Sequence, residues 1–276
     1  MNIGELLADA RALLAEATIS RLESELLLGH VLGVSRAHLY ANPKAVTNTR
    51  QRASFLQLVQ RRGQGEPIAY LTGRREFWSL ALKVTPDVLI PRPETELLVE
   101  AALDRIPADA QWRVADLGTG SGAIAIAIAS MRKRCEVHAT EISAAALAIA
   151  MENAEAIVPG RIRFHQGSWL SPLQGLFQLI VSNPPYVAMD DPHLQQGDVR
   201  YEPLTALSPG HDGLAAIRRI AADALPLLDQ HGWLAIEHGF EQGKKVRNIM
   251  QGLGYASTGT IKDLADLERV SLGKKP

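Results

Sequence analysis

Residues 180–186 bring together groups that can act on one substrate. Ile180-Val181-Ser182-Asn183-Pro184-Pro185-Tyr186 ends an apolar run with an amide, two prolines and a phenol. Consecutive prolines fix the backbone and leave carbonyls without partner N–H groups. The Asn183 side-chain oxygen and a proline carbonyl can then accept both hydrogens of one planar –NH2 group. The Tyr186 ring offers a face on which a planar substrate can stack. An amino nitrogen held by its two hydrogens aims its lone pair at an electrophile, as methyl transfer to a conjugated nitrogen requires. Pro-Pro alone is usually just a stiff turn. Asn-Pro-Pro-Tyr at a strand end, where open α/β sheets bind ligands, calls for more than stiffness.

A second stretch, Asp116-Leu117-Gly118-Thr119-Gly120-Ser121-Gly122, lies where a strand turns into a helix. Its glycines allow positive φ and a close approach of backbone to ligand, and the following helix offers free N–H groups. By itself this is a weak signal, because Gly118-x-Gly120-x-x-Ala123 also fits a loose dinucleotide fingerprint. Glu141, at the end of the next strand, strengthens it with a carboxylate able to accept from ribose hydroxyls. Together they imply an adenosine-bearing cofactor without choosing one. A nicotinamide dehydrogenase has only the glycine loop in its favour.

Other groups carry less. The eight histidines are scattered without metal-ligand spacing, so no metal site is expected. Asp190-Asp191 reads as a solvated loop, and Ser121 and Ser182 lack a recognisable base. The single cysteine, Cys135, excludes an intramolecular disulfide and reads as a small buried hydrophobe.

These residues need a scaffold. The first ninety residues read as helical: Leu6, Leu7, Ala10, Leu13, Leu14 and Ala17 form one stripe, Leu22, Leu26, Leu27, Val31 and Leu32 a second, and Phe55, Leu58 and Val59 a third. Residues 1–75 are expected as a helical N-terminal domain and 76–93 as a hairpin and linker, punctuated by Pro86, Pro91 and Pro93. Residues 94–276 are expected as an α/β domain. Its helices are read at Glu94–Arg105 and from Ala123. Its strands are read at Trp112–Leu117, Glu136–Thr140, Ile162–His165, Leu179–Val181, Gly232–Glu237, Ala256–Thr260 and Val270–Leu272.

The balance of 29 basic against 30 acidic residues gives a net charge of −1. Residues 1–90 hold 11 Lys and Arg against 8 Asp and Glu. Neither half has the basic excess of a protein that grips nucleic-acid phosphates, so no stable nucleic-acid partner is expected. No secretory leader or bilayer-length apolar run is read, so the expectation is a cytoplasmic protein without membrane attachment. A monomer is the default.

The motifs taken together resemble Rossmann-like methyltransferases that use S-adenosyl-L-methionine (AdoMet), and more narrowly the PrmC/HemK family. Supporting matches are Gly65–Gly73, Arg75–Trp78, Ile90–Glu96 and Asp191–Pro203. The resemblance implies an α/β, Rossmann-like methyltransferase sheet with a small helical N-terminal domain that recognises the substrate. It implies AdoMet-dependent methylation of the side-chain amide of the Gly-Gly-Gln glutamine in peptide-chain release factors. Asp116, Gly118, Thr119, Gly120 and Gly122 would then serve the cofactor loop, Glu141 the ribose, and Ile142 and Trp169 the two faces of adenine. Asn183 and Pro184 would accept from the substrate amide, with Pro185 and Tyr186 completing its pocket. Ser168 stands where the family usually has Asp, which touches adenine recognition. Arg92 and Glu94 fall in the interdomain motif and read as docking residues. The competing enzyme reading is a DNA or RNA amino-methyltransferase, acting on adenine N6 or guanine N2 with the same motif. A non-enzymatic AdoMet-binding module is disfavoured by the intact Asn183–Tyr186 sequence.

Overall fold

Apolar residues at three-and-four spacing build the helices that open the computed structural model, which describes residues 1–13, 21–208, 210 and 212–276. These residues divide into two units, Met1–Arg74 with Gln196–Tyr201, and Arg75–Gln195 with Glu202–Pro276. The first contains α1 (Ile3–Leu13), α2 (Arg21–Leu32), α3 (Arg36–Ala41), α4 (Thr49–Gly63) and α5 (Ile68–Thr72). Leu6, Ala10, Leu27, Leu28, Phe55 and Val59 form its core. Asn48 and Gln51 close a capping box at the start of α4, satisfying two backbone N–H groups reciprocally. Asp198 joins this unit by accepting from Arg62 at 2.8 Å, and the Tyr201 hydroxyl donates to the Gln64 carbonyl at 2.8 Å.

The stripe expected on α2 is partly displaced. Leu27 is buried, but Leu22 and Leu26 are exposed, and the buried face includes Ser24, Glu25 and Leu28. Glu25 explains the difference. Its carboxylate accepts from Arg21 Nε at 2.8 Å, Arg36 Nη2 at 2.8 Å and the Tyr40 hydroxyl at 2.6 Å. So satisfied, a charged residue occupies a position that periodicity assigns to solvent. Leu14 and Ala17 of the first stripe lie outside the described residues.

In the second unit, the hairpin β1 (Arg74–Phe77) and β2 (Leu80–Lys83) stands where a hairpin and linker were expected. The hairpin is part of the unit's core, with Phe77 and Leu82 buried in it. Buried Asn153 clamps β2, accepting from the Lys83 N–H at 2.7 Å and donating to its carbonyl at 3.0 Å. Then follow α6 (Glu96–Leu103), β3 (Arg113–Leu117), α7 (Ala123–Met131), β4 (Glu136–Glu141), α8 (Ala144–Ile157), β5 (Ile162–Gln166) and β6 (Phe177–Ser182). The chain ends with α9 (Leu204–Leu207), α10 (Ala215–Leu227), β7 (Leu228–Glu237), α11 (Gly243–Gly252), β8 (Ala256–Lys262) and β9 (Glu268–Lys274).

Among the described residues, seven strands form one sheet in the order β5-β4-β3-β6-β7-β9-β8. The pairs β4–β5, β3–β4, β3–β6 and β6–β7 are parallel, and β9 runs antiparallel between β7 and β8. Each strand read from the sequence is present, most of them a residue or more longer. One face packs on α6 and α7, with Leu98, Ile126 and Ile128 fully buried. The other carries Ile217, Ile220 and Val246 from α10 and α11. Covered on both faces, β3 is buried from Val114 to Leu117. The α/β, Rossmann-like expectation holds.

Candidate functional site

In this strand order β3 is the switch point, with β4 on one side and β6 on the other, where a crevice opens at the carboxyl ends. A cavity of about 320 Å³ lies there. Among the expected site residues, Gly118, Gly120, Glu141, Ile142, Ser168, Trp169, Asn183 and Pro185 line it. They come from the ends of β3, β4, β5 and β6. Strand-end convergence is what brings together positions scattered through the sequence.

The glycine loop is held from below. The N–H groups of Gly118 and Thr119 both donate to the Thr140 carbonyl at 2.9 Å. Asp116 is fully buried, and its Oδ2 accepts from the Thr119 hydroxyl at 2.6 Å and from the Ala125 N–H at 3.1 Å. The carboxyl thereby caps α7 and pins the loop. Burial pushes it up to about 7, against the pull of those two donors. Asp116 and Thr119 do not line the cavity; they shape the loop that does. Gly122 is also set back. A Cβ there would lie 2.9 Å from Ile126 Cδ1 and 3.3 Å from the Ala150 backbone, so the glycine lets α7 approach α8.

Glu141 ties the loop to β4. Its Oε2 accepts from the Gly120 N–H and its Oε1 from the Ser143 N–H, both at 3.0 Å. Each carboxylate oxygen keeps a free lone pair for a hydroxyl. Ile142 beside it is 68% exposed, a large apolar side chain standing at the cavity. Trp169 adopts a positive φ of 48° and lays its ring over Gly118. At Gly118, whose φ is 70°, a Cβ would sit 2.9 Å from Trp169 Cζ3.

Asn183 follows β6 and donates from Nδ2 to the Thr95 hydroxyl at 3.0 Å. With that end of the amide occupied, Oδ1 is the end available to accept. Pro184 is buried and does not line the cavity. Nor does Tyr186: its ring packs on the second face of the sheet and its hydroxyl donates to Glu237 Oε1 at 3.4 Å. Burial and the Glu237 charge raise the Tyr186 phenol well above its ordinary range, so it stays protonated. Its place differs from the stacking face expected of it.

Several cavity residues escaped the sequence reading. Pro86, Asp87, Val88 and Leu89 line it from the stretch read as a linker, and Pro203, Thr205 and Ala206 from the chain after the Asn-Pro-Pro-Tyr motif. Glu202 fastens these two segments. Its Oε1 accepts from Arg92 Nη2 at 2.6 Å and its Oε2 from the Ile90 N–H at 3.3 Å. Arg92, read as a docking residue between domains, thus makes this pair inside the second unit. The proline cluster was visible, but neither segment has the periodicity that marks a structured wall. Cys135 is buried with a free thiol, and among the described residues no group of three or more His, Cys, Asp or Glu could hold a metal. Nor is any described helix long and apolar enough to cross a membrane.

Fold and site together define a Rossmann-like methyltransferase. Residues 93–197 match the family model described as the methyltransferase small domain, and residues 5–73 match the PrmC N-terminal domain. The fold is shared with a methyltransferase from Pyrococcus furiosus at a TM-score of 0.55, covering 83% of this chain and 99% of that one at 18% identity. Whole-chain similarity is higher: 49% identity to the release factor glutamine methyltransferase of Xylella fastidiosa, over 96% of this chain and 98% of the relative. The Yersinia pestis protein of the same name is 45% identical over 99% of both chains. The chain belongs to the release factor glutamine methyltransferase family.

Proposed function

We propose that the protein transfers a methyl group from AdoMet to the side-chain amide nitrogen of the Gly-Gly-Gln glutamine in peptide-chain release factors, in the cytoplasm. The residues at the cavity fit the donor. Glu141 keeps acceptor capacity for ribose hydroxyls, Ile142 is an uncovered apolar face, and the tight seat of Trp169 on Gly118 leaves no room for a side chain between loop and ring. Ser168, Gly118 and Gly120 complete the holding set. When bound, AdoMet supplies an electrophilic methyl on a sulfonium.

The observation that carries the reading is the Asn183 amide, whose nitrogen is engaged by Thr95 while Oδ1 remains as acceptor. An amide nitrogen is a poor nucleophile because its lone pair is delocalised into the carbonyl. An acceptor on its N–H bonds, supplied by Asn183 Oδ1, favours pyramidal character and returns density to nitrogen. The chain therefore acts mainly by orientation and exclusion of water. Asn183→Ala tests it. Losing one positioned acceptor in a dry site should slow methylation roughly a hundredfold or more, with AdoMet affinity by calorimetry nearly unchanged. Near-wild-type turnover would remove Asn183 from the role.

A further inference from the structure

Pro184 and Pro185 carry no N–H, so the backbone between Asn183 and Tyr186 has few hydrogen bonds with which to hold its place. Upstream, Ser182 ends β6 in register with Leu117 and Ile236, and its Oγ donates to the Leu117 carbonyl at 2.8 Å. Downstream, the hook is Tyr186. Its carbonyl accepts from Gln242 Nε2 at 3.0 Å, while Gln242 Oε1 accepts from the Gly239 N–H at 2.9 Å. One carboxamide thus ties the end of the Asn-Pro-Pro-Tyr motif to the loop that follows β7, across 56 residues of chain.

The surroundings are shaped for this bridge. Gln242 stands at the N-cap position of α11, and its side chain makes no capping bond. Its backbone is pinned on both sides, the N–H donating to the Gly239 carbonyl at 2.9 Å and the carbonyl accepting from the Val246 N–H at 3.0 Å. The side chain therefore reaches out from a fixed base, with both ends of its amide engaged. Two glycines make room for it. A Cβ at Gly239 would lie 3.3 Å from Gln242 Oε1, and one at Gly213 would lie 2.9 Å from Gln242 Nε2 and collide with the Tyr186 carbonyl.

Tyr186 stands outside the cavity, yet a shift there reaches Asn183. The two proline rings lock φ at about −65° each, so a displacement of Tyr186 is passed back along the chain instead of being absorbed. We propose that Gln242 is a positioning residue: by holding the Tyr186 carbonyl it sets where the Asn183 amide stands at the cavity. This rests on the reading that Asn183 Oδ1 receives the glutamine amide. The cofactor side, with Gly118 and Glu141 at the ends of β3 and β4, is held by hydrogen bonds of its own.

The experiment compares wild type, Gln242→Met and Gln242→Glu on intact release factor, with calorimetry of AdoMet as the folding control. Methionine keeps an unbranched shape and removes both hydrogen bonds. With Asn183 misplaced, kcat of Gln242→Met should fall roughly ten- to a hundredfold while AdoMet affinity stays within about twofold. Gln242→Glu supplies a readout that a packing role would not move. Ionised, its carboxylate accepts from Gly239 but cannot donate to the Tyr186 carbonyl; protonated, it does both, as the amide does. Its rate relative to wild type, a ratio that cancels titrations common to both, should rise severalfold from about pH 8 to about pH 6 as the protonated fraction grows. Gln242→Met with wild-type kcat, or with AdoMet affinity lost in step with the rate, overturns the role. So does a Gln242→Glu ratio that is flat with pH. No methylation by wild type would overturn the substrate reading instead.

Discussion

Gly118→Ala separates the cost of a left-handed backbone from the cost of disturbing the cavity. Gly118 and Gly160 have almost the same φ, 70° and 69°, but a Cβ at Gly160 would meet nothing within 4 Å. At Gly118 it would meet Trp169 Cζ3 at 2.9 Å. Each alanine forces an L-residue into the left-handed region at about 1–2 kcal/mol. On a chain of this length that lowers Tm by roughly 2–8 °C in both variants. Only Gly118→Ala must also displace a ring. Carbon atoms pack at about 3.5–4.0 Å, so Trp169 has to retreat by ~0.6–1 Å from a seat where its own φ is already positive. Contacts with adenine are expected to suffer, and AdoMet affinity should fall at least about tenfold, or ~1.4 kcal/mol. Differential scanning calorimetry gives the shared stability loss, and isothermal titration gives the difference. Equal AdoMet affinity in the two variants would refute the assignment of Trp169 to the adenine.

Two further outcomes are expected. Ser168→Asp places a carboxylate at the cavity, where a charge-assisted bond to the adenine amino group gains about 1 kcal/mol over a neutral one. Lost hydration takes back part of that, so AdoMet should bind roughly two- to fivefold more tightly; weaker binding would mean residue 168 does not meet the adenine edge. In the helical unit, burial alone would raise the Glu25 carboxyl, but hydrogen bonds from Tyr40, Arg36 and Arg21 outweigh it and hold it down at about 2. A depressed carboxyl stabilises the fold above its unfolded value and loses that contribution as pH falls to the folded one. With both arginines about half exposed, Glu25→Gln should cost about 1–2 kcal/mol at neutral pH. The deficit should shrink from about pH 4.5 downward and vanish near pH 2; denaturant midpoints across that range would check it, and a pH-independent deficit would contradict it.

The sheet and the cavity's principal residues were legible because local signals carry them. Apolar runs bounded by turn residues marked the strands, and Glu141 and Asn183 stood at strand ends, where position alone implies convergence. Less legible was the difference between touching a ligand and supporting the part that does. Asp116, Thr119 and Gly122 share a motif with Gly118 and Gly120, yet three of the five face the interior, and only packing against Ala125 and Ala150 separates them. Thr95 escaped for a related reason: its hydrogen bond spans 88 residues to Asn183. In sequence it looks like an ordinary helix cap. On α2, Glu25 broke the apolar pattern because its neutralising partners come from another helix as well as its own.

Methylation of the release-factor glutamine can be read directly. Purified protein, AdoMet and an intact release factor are incubated together, and the factor is digested and sequenced by tandem mass spectrometry. The account predicts one added methyl group, on the side-chain amide of the Gly-Gly-Gln glutamine, absent when Asn183→Ala replaces the wild type. An unmodified glutamine in the presence of wild-type protein that binds AdoMet would contradict it.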